Sequence, residues 1–139
     1  MLEGKHAVIT GGGTGIGLSI AQALAGAGAE VTITGRRAEV LEAVAGPGLH
    51  PLVMDVTEES SVTRGVAQAV AARGPVQICV PNAGIAEGQS IRKTDLDAWR
   101  HTMRTNLDGA FLTIRACLPS MTETDWGRVI AVSSIAGIR

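Results

Sequence analysis

Thr10-Gly11-Gly12-Gly13-Thr14-Gly15-Ile16-Gly17 is the stretch whose residue types and spacing could do chemistry. Glycine accepts positive φ and lets backbone N–H groups approach a ligand. A helix N-terminus adds partial positive charge, so a glycine turn that opens a helix favours an anion such as a pyrophosphate. A dinucleotide is the natural ligand. The spacing also excludes two common turns: G-x-G-x-x-G fits these residues in no register, and Leu18 stands where a P-loop needs its lysine. What remains is T-G-x-x-x-G-x-G.

Further chemistry-bearing residues follow other apolar runs. Gly35-Arg36-Arg37 follows one, and Asp55-Val56, Asn82-Ala83-Gly84 and Ser133-Ser134 follow three more. An NAD-type site would usually place an acidic residue after the second strand, on the ribose 2′-hydroxyl. Gly35 offers nothing there, whereas Arg36 and Arg37 carry guanidinium forks suited to a 2′-phosphate. That favours NADP over NAD, although two solvated arginines beside a helix start would leave the same trace. His6, His50 and His101 have no metal-ligand spacing. No G-x-S-x-G surrounds Ser133 or Ser134, which argues against an α/β-hydrolase.

The elements that must position these residues alternate between strand and helix patterns, which predicts a doubly wound parallel sheet with helices on both faces. Strands are expected at about Lys5 to Thr10, Glu30 to Thr34, Leu49 to Met54, Val76 to Val80 and Arg128 to Ser133. Helix faces are expected through Ile16, Ile20, Ala23, Leu24 and Ala27; through Val40, Leu41 and Val44; and through Val62, Val66, Ala69 and Val70. Thr57, Ser60 and Ser61 offer N-capping chemistry to the last of these. Ile85 to Thr94 reads as a loop over the strand ends. Leu96 and Trp99 begin a helical stretch, and from Thr105 a long helix carries Leu107, Ala110, Phe111, Ile114 and Leu118, ending near Pro119. Each cluster then falls at a strand's C-terminal end, the edge at which open α/β sheets bind ligands.

With 139 residues, the chain fits a single domain spanning residues 1–139. Its formal net charge of −1 gives no electrostatic footprint for nucleic acid or an anionic membrane, so a small-molecule partner is expected. No run of 18 apolar residues and no signal-peptide layout is present, which points to a cytoplasmic protein. Cys79 and Cys117 read as reduced core thiols, and Trp99 and Trp126 as packing residues at element starts.

The glycine turn, Asp55, the N-A-G at Asn82 to Gly84, Asn106 in the long helix and the Ser-Ser pair stand in an order that resembles the short-chain dehydrogenase/reductase family along nearly the whole chain. The resemblance implies a Rossmann-type three-layer α/β/α fold with strand order 3-2-1-4-5. It implies a hydride-transferring oxidoreductase acting on a carbonyl or secondary alcohol, with NADP, or NAD, bound by Gly11, Gly13, Thr14, Gly15, Ile16, Gly17, Arg36, Arg37, Asp55, Val56, Asn82, Ala83 and Gly84. By the same resemblance, Asp55 would contact the adenine amine and Asn106 would hold a water in a proton relay. Ser134, with Ser133 as the alternative, would orient the substrate. Association through the long helix into a homo-oligomer is implied as well.

The family pairs that serine with a downstream Tyr-x-x-x-Lys. This sequence contains no tyrosine, and its only lysines, Lys5 and Lys93, sit in no such motif. The expectation is therefore an N-terminal portion of such an enzyme, completed by a companion or continuing segment and unstable or inactive without one. The competing class is a dinucleotide-binding or scaffolding module without chemistry.

Overall fold

The computed structural model describes residues 1–135. In chain order it contains β1 (His6–Thr10), α1 (Gly15–Gly26), β2 (Glu30–Gly35), α2 (Ala38–Glu42), β3 (Leu49–Val53), α3 (Glu59–Arg73) and β4 (Ile78–Val80). Then come α4 (Leu96–Met103), a π-helical turn (Arg104–Asp108), α5 (Gly109–Met121) and β5 (Arg128–Val129). The five strands form one parallel sheet in the order β3-β2-β1-β4-β5, the order expected.

Side-chain alternation along the strands divides the interior into two layers. Ala7, Ile9, Val31, Ile33, Ile78 and Val80 face α1 and α2, which contribute Ala21 and Leu41. Val8 and Cys79 face the other way, into a cluster with Val62, Val66 and Ala69 of α3 and with Cys117 and Met121 of α5. Ile9 and Ile33 are completely buried, and each such side chain contributes about 1.5–3 kcal/mol relative to exposure. Both expected core thiols lie in the second layer, free and buried. The hydrogen bond with the neighbouring Cys79 thiol, and then burial, push the pKa of Cys117 far up, which keeps it protonated.

Register brings the strand exits together: Thr10 pairs with Thr34, Ile9 with Val80, and Gly35 with Val53. The opposite edge is tied by structural contacts. The ring of His6 bonds the Gly74 carbonyl through Nδ1 and the Thr32 hydroxyl through Nε2, each at 2.9 Å. Lys5 and Arg128 both stand over the Trp126 indole, their charged groups 5.1 and 4.8 Å from its ring centroid.

Several boundaries differ from the sequence reading. The helical stretch at Leu96 and the long helix from Thr105 are joined without a break, because the π turn carries the helix across the place where its apolar period shifts. Pro119 lies inside α5, which runs on to Met121; so close to the C-terminus, the missing N–H costs a single bond of the last turn. Thr57, Ser60 and Ser61 do not cap α3, whose N-cap is Glu58 with no side-chain bond. The Thr57 and Ser61 hydroxyls are engaged by Asp55 instead. The final strand is regular only at Arg128–Val129, although Ile130 N–H still donates to the Cys79 carbonyl (2.9 Å) and Val132 N–H to the Pro81 carbonyl (3.4 Å).

Candidate functional site

The glycine turn joins β1 to α1 and is locked to the exit of β4. Thr10 is the anchor: its hydroxyl oxygen accepts the backbone N–H groups of both Asn82 and Ala83, each at 3.0 Å. A hydroxyl has two lone pairs, so threonine satisfies two strand-end donors at once. The Asn82 Nδ2 donates back to the carbonyls of Thr10 (3.0 Å) and Gly11 (3.4 Å). Gly11 and Gly15 have φ of +66° and +53°, in the left-handed region. At Gly17 the constraint is space, because a Cβ there would lie 2.2 Å from the Gly11 carbonyl oxygen and 2.4 Å from Asn82 Nδ2. The first turn of α1 contains no acidic residue, and Thr14 at its N-cap makes no side-chain cap bond. These are the features of a helix start shaped for an anion.

Above this turn lies a cavity lined by Gly11, Gly13 and Thr14, by Arg36 and Arg37, by Asp55 and Val56, and by Ala83 and Gly84. The structure thus brings most of the predicted cofactor residues to one concave surface at the C-terminal sheet edge. Asn82, Gly15, Ile16 and Gly17 do not line it. Asn82 and Gly17 build the turn from behind, while Ile16 is exposed on the first turn of α1.

Asp55 is held firmly. Thr57 donates both its N–H (2.9 Å) and its hydroxyl (2.7 Å) to Asp55 Oδ1, and the Asp55 N–H donates to Ser61 Oγ (3.0 Å). Partial burial acts to raise the pKa of this carboxyl. The two Thr57 bonds and the Arg36 and Arg104 guanidiniums outweigh it and hold Asp55 below its usual range, so it faces the cavity as an anion.

Thr34, Leu41, Met54, Thr57, Ile85 and Thr105 also line the cavity, and the sequence reading assigned none of them to the site. Thr57 had a signal, since a hydroxyl two residues after an aspartate is suited to bond its carboxylate. Thr34 is the most informative. It is 1% exposed, and its hydroxyl has no hydrogen-bond partner among the described residues. The hydroxyl is an unsatisfied buried polar group in a residue that lines the cavity. Together with the glycine cradle, it makes the site fit a dinucleotide.

Asn106 sits in the π turn, and its amide pairs with the backbone of Ile85: Oδ1 accepts the Ile85 N–H and Nδ2 donates to the Ile85 carbonyl, both at 2.8 Å. The amide therefore fixes the strand-exit segment to the helix. Ser133 and Ser134 follow the backbone bonds that run beside β4 as far as Pro81, which carries them toward the same sheet edge, and both are exposed. His50 pairs with Glu30 on the sheet, and no group of three His, Cys, Asp or Glu able to hold a metal occurs among the described residues. No helix among them is long and apolar enough to cross a membrane.

Known proteins share this family pattern and this fold. The family model described as short chain dehydrogenase matches residues 5–139. Over 142 aligned positions the chain is 39% identical to the NADP-dependent (R)-specific alcohol dehydrogenase of Lentilactobacillus kefiri, covering 98% of this chain and 56% of that protein. It is 34% identical to the 3-oxoacyl-[acyl-carrier-protein] reductase of Aquifex aeolicus, covering 98% and 58%. Among solved structures, a provisionally assigned short-chain alcohol dehydrogenase from Sinorhizobium meliloti superposes with a TM-score of 0.91 at 31% identity, covering 96% of this chain and 56% of that one. The chain spans about half the length of the curated relatives it matches. It belongs to the short-chain dehydrogenase family.

Proposed function

We propose that this family member is the cofactor-binding portion of an NADP-preferring oxidoreductase acting on a carbonyl or secondary alcohol. The observation that carries the reading is the meeting of Gly13, Thr14, Arg36 and Asp55 on one cavity wall. The dinucleotide supplies the hydride. The chain's own residues do the rest. Backbone groups of the Gly11 to Gly17 turn and the start of α1 hold the pyrophosphate. Arg36, with Arg37 beside it, takes the 2′-phosphate through charge-assisted bonds. Asp55 and Val56 receive the adenine, the carboxylate accepting from its amine, and the Thr34 hydroxyl gains the partner it lacks. Ala83 and Gly84 close the adenosine side.

Ser134, with Ser133 as the alternative, orients the substrate oxygen. Asn106, its amide bonded to the Ile85 backbone, holds a water in a proton relay. The exposed Leu107, Phe111 and Leu118 on the long helix support association into a homo-oligomer. A second reading is a dinucleotide-binding or scaffolding module without turnover.

Thermal-shift and fluorescence titrations with NADPH and NADH test the proposal. Stabilisation by both, stronger for NADPH, is expected. No shift with either would overturn it, and binding without turnover on simple ketones in the full-length protein would favour the module.

A further inference from the structure

Arg104 lies outside the cavity yet joins two of its walls. It opens the π turn, and its side chain is about half exposed. Its Nε–H donates to the Thr57 carbonyl at 3.2 Å, and its Nη2 donates to Glu58 Oε1 at 2.8 Å. Thr57 is the residue whose N–H and hydroxyl fix Asp55 Oδ1. The next residue after Arg104, Thr105, lines the same cavity as Asp55, and the one after that, Asn106, holds Ile85. One guanidinium thus holds the backbone carbonyl of Thr57 and the side-chain carboxylate of the next residue, tying the start of α3 to the π turn by two directed bonds where a single point charge would offer none.

From this linkage we infer that Arg104 is a positioning residue for base recognition: by clamping Thr57 and Glu58 to the π turn, it aims the Asp55 carboxylate at the exocyclic amine of the adenine. The inference rests on the cofactor reading above and adds to it the residue that sets base selectivity. A carboxylate accepts from the 6-amino group of adenine. It meets only a carbonyl oxygen at the same place in hypoxanthine. Aim therefore translates into a preference between the two bases, whereas a general loss of fold or charge weakens both ligands alike.

The test compares the affinity of NADPH with that of its hypoxanthine analogue for the wild-type protein, Arg104→Met and Arg104→Lys, each checked for an unchanged melting profile. The wild type is expected to prefer NADPH about tenfold, the worth of one charged hydrogen bond. Arg104→Met brings the ratio close to one while the hypoxanthine analogue binds nearly as before. Arg104→Lys, which keeps the charge and one donor and so guards against a folding artefact, falls between. A preference that survives in Arg104→Met overturns the inference, as does an equal loss for both ligands. A wild type that binds dinucleotide but ignores the base removes Asp55 as reader and Arg104 with it. A wild type that binds neither ligand overturns the cofactor reading itself, and this inference falls with it.

Discussion

Asn82 occupies the space in which a side chain at Gly17 would have to begin. The Nδ2 that bonds the carbonyls of Thr10 and Gly11 lies 2.4 Å from the position of a Gly17 Cβ, and the Gly11 oxygen lies 2.2 Å from it. The turn and the exit of β4 are therefore one interlocked unit.

Gly17→Ala tests that unit. Backbone must move to admit the methyl group, so a destabilisation of about 1–3 kcal/mol is expected in urea unfolding, with loss of the NADPH-induced thermal shift. A variant that keeps both stability and cofactor response would show that the turn tolerates separation from Asn82.

Arg36→Ala addresses cofactor choice. The 2′-phosphate is the only difference between the two dinucleotides, and a charge-assisted bond to it is worth about 1.5–3 kcal/mol. Dissociation constants should rise roughly tenfold or more for NADP and little for NAD. Equal losses would count against a phosphate contact.

Thr34→Val separates binding from folding. Exchanging a buried, unpartnered hydroxyl for a methyl group of similar shape should leave stability unchanged or raise it by up to about 1 kcal/mol. Dinucleotide affinity should nonetheless fall several-fold. Unchanged affinity with raised stability would mean that the hydroxyl has no ligand to meet.

His6 predicts a pH dependence of folding. Burial lowers its folded-state pKa below the ordinary histidine value of about 6.5, with nearby Arg73 and His50 acting in the same direction; the Gly74 bond and Glu30 oppose them without prevailing. The unfolded chain therefore binds more protons than the native one as pH falls below about 6.5, and stability declines over that interval until the folded-state pKa is passed. Urea midpoints between pH 7.5 and 5 should drop in the wild type and flatten in His6→Gln. A wild-type profile that is level over that interval would refute the assignment.

How much of this was legible follows from particular residues. The strand exits were, because β-branched and apolar runs such as Val31 to Ile33 and Val76 to Val80 meet glycine, proline or polar clusters, and those changes of pattern are local. The Thr10, Asn82 and Asp55 positions were also legible, as members of an ordered set of motifs. The π turn was not: Arg104-Thr105-Asn106-Leu107-Asp108 contains no breaker, and the extra residue per turn shows in the sequence only as a phase slip between Trp99 and Leu107. Ser61 was misread because a hydroxyl near a helix start can serve the helix or an upstream loop, and only the position of the Asp55 N–H decides. Thr34 reads as an ordinary strand residue; that its hydroxyl lacks a partner is a fact of three dimensions.

The seat of Trp126 has a consequence for observing this protein in solution. Trp99 is 51% exposed, whereas Trp126 is partly buried against the first core layer and contacted by Lys5, just before β1, and Arg128, which begins β5. Between those two strands lies β4, so the indole reports across the width of three strands whether the last one is docked. With Trp99 replaced by Phe, the emission maximum of the remaining tryptophan becomes an internal optical gauge of that docking, readable without any added dye.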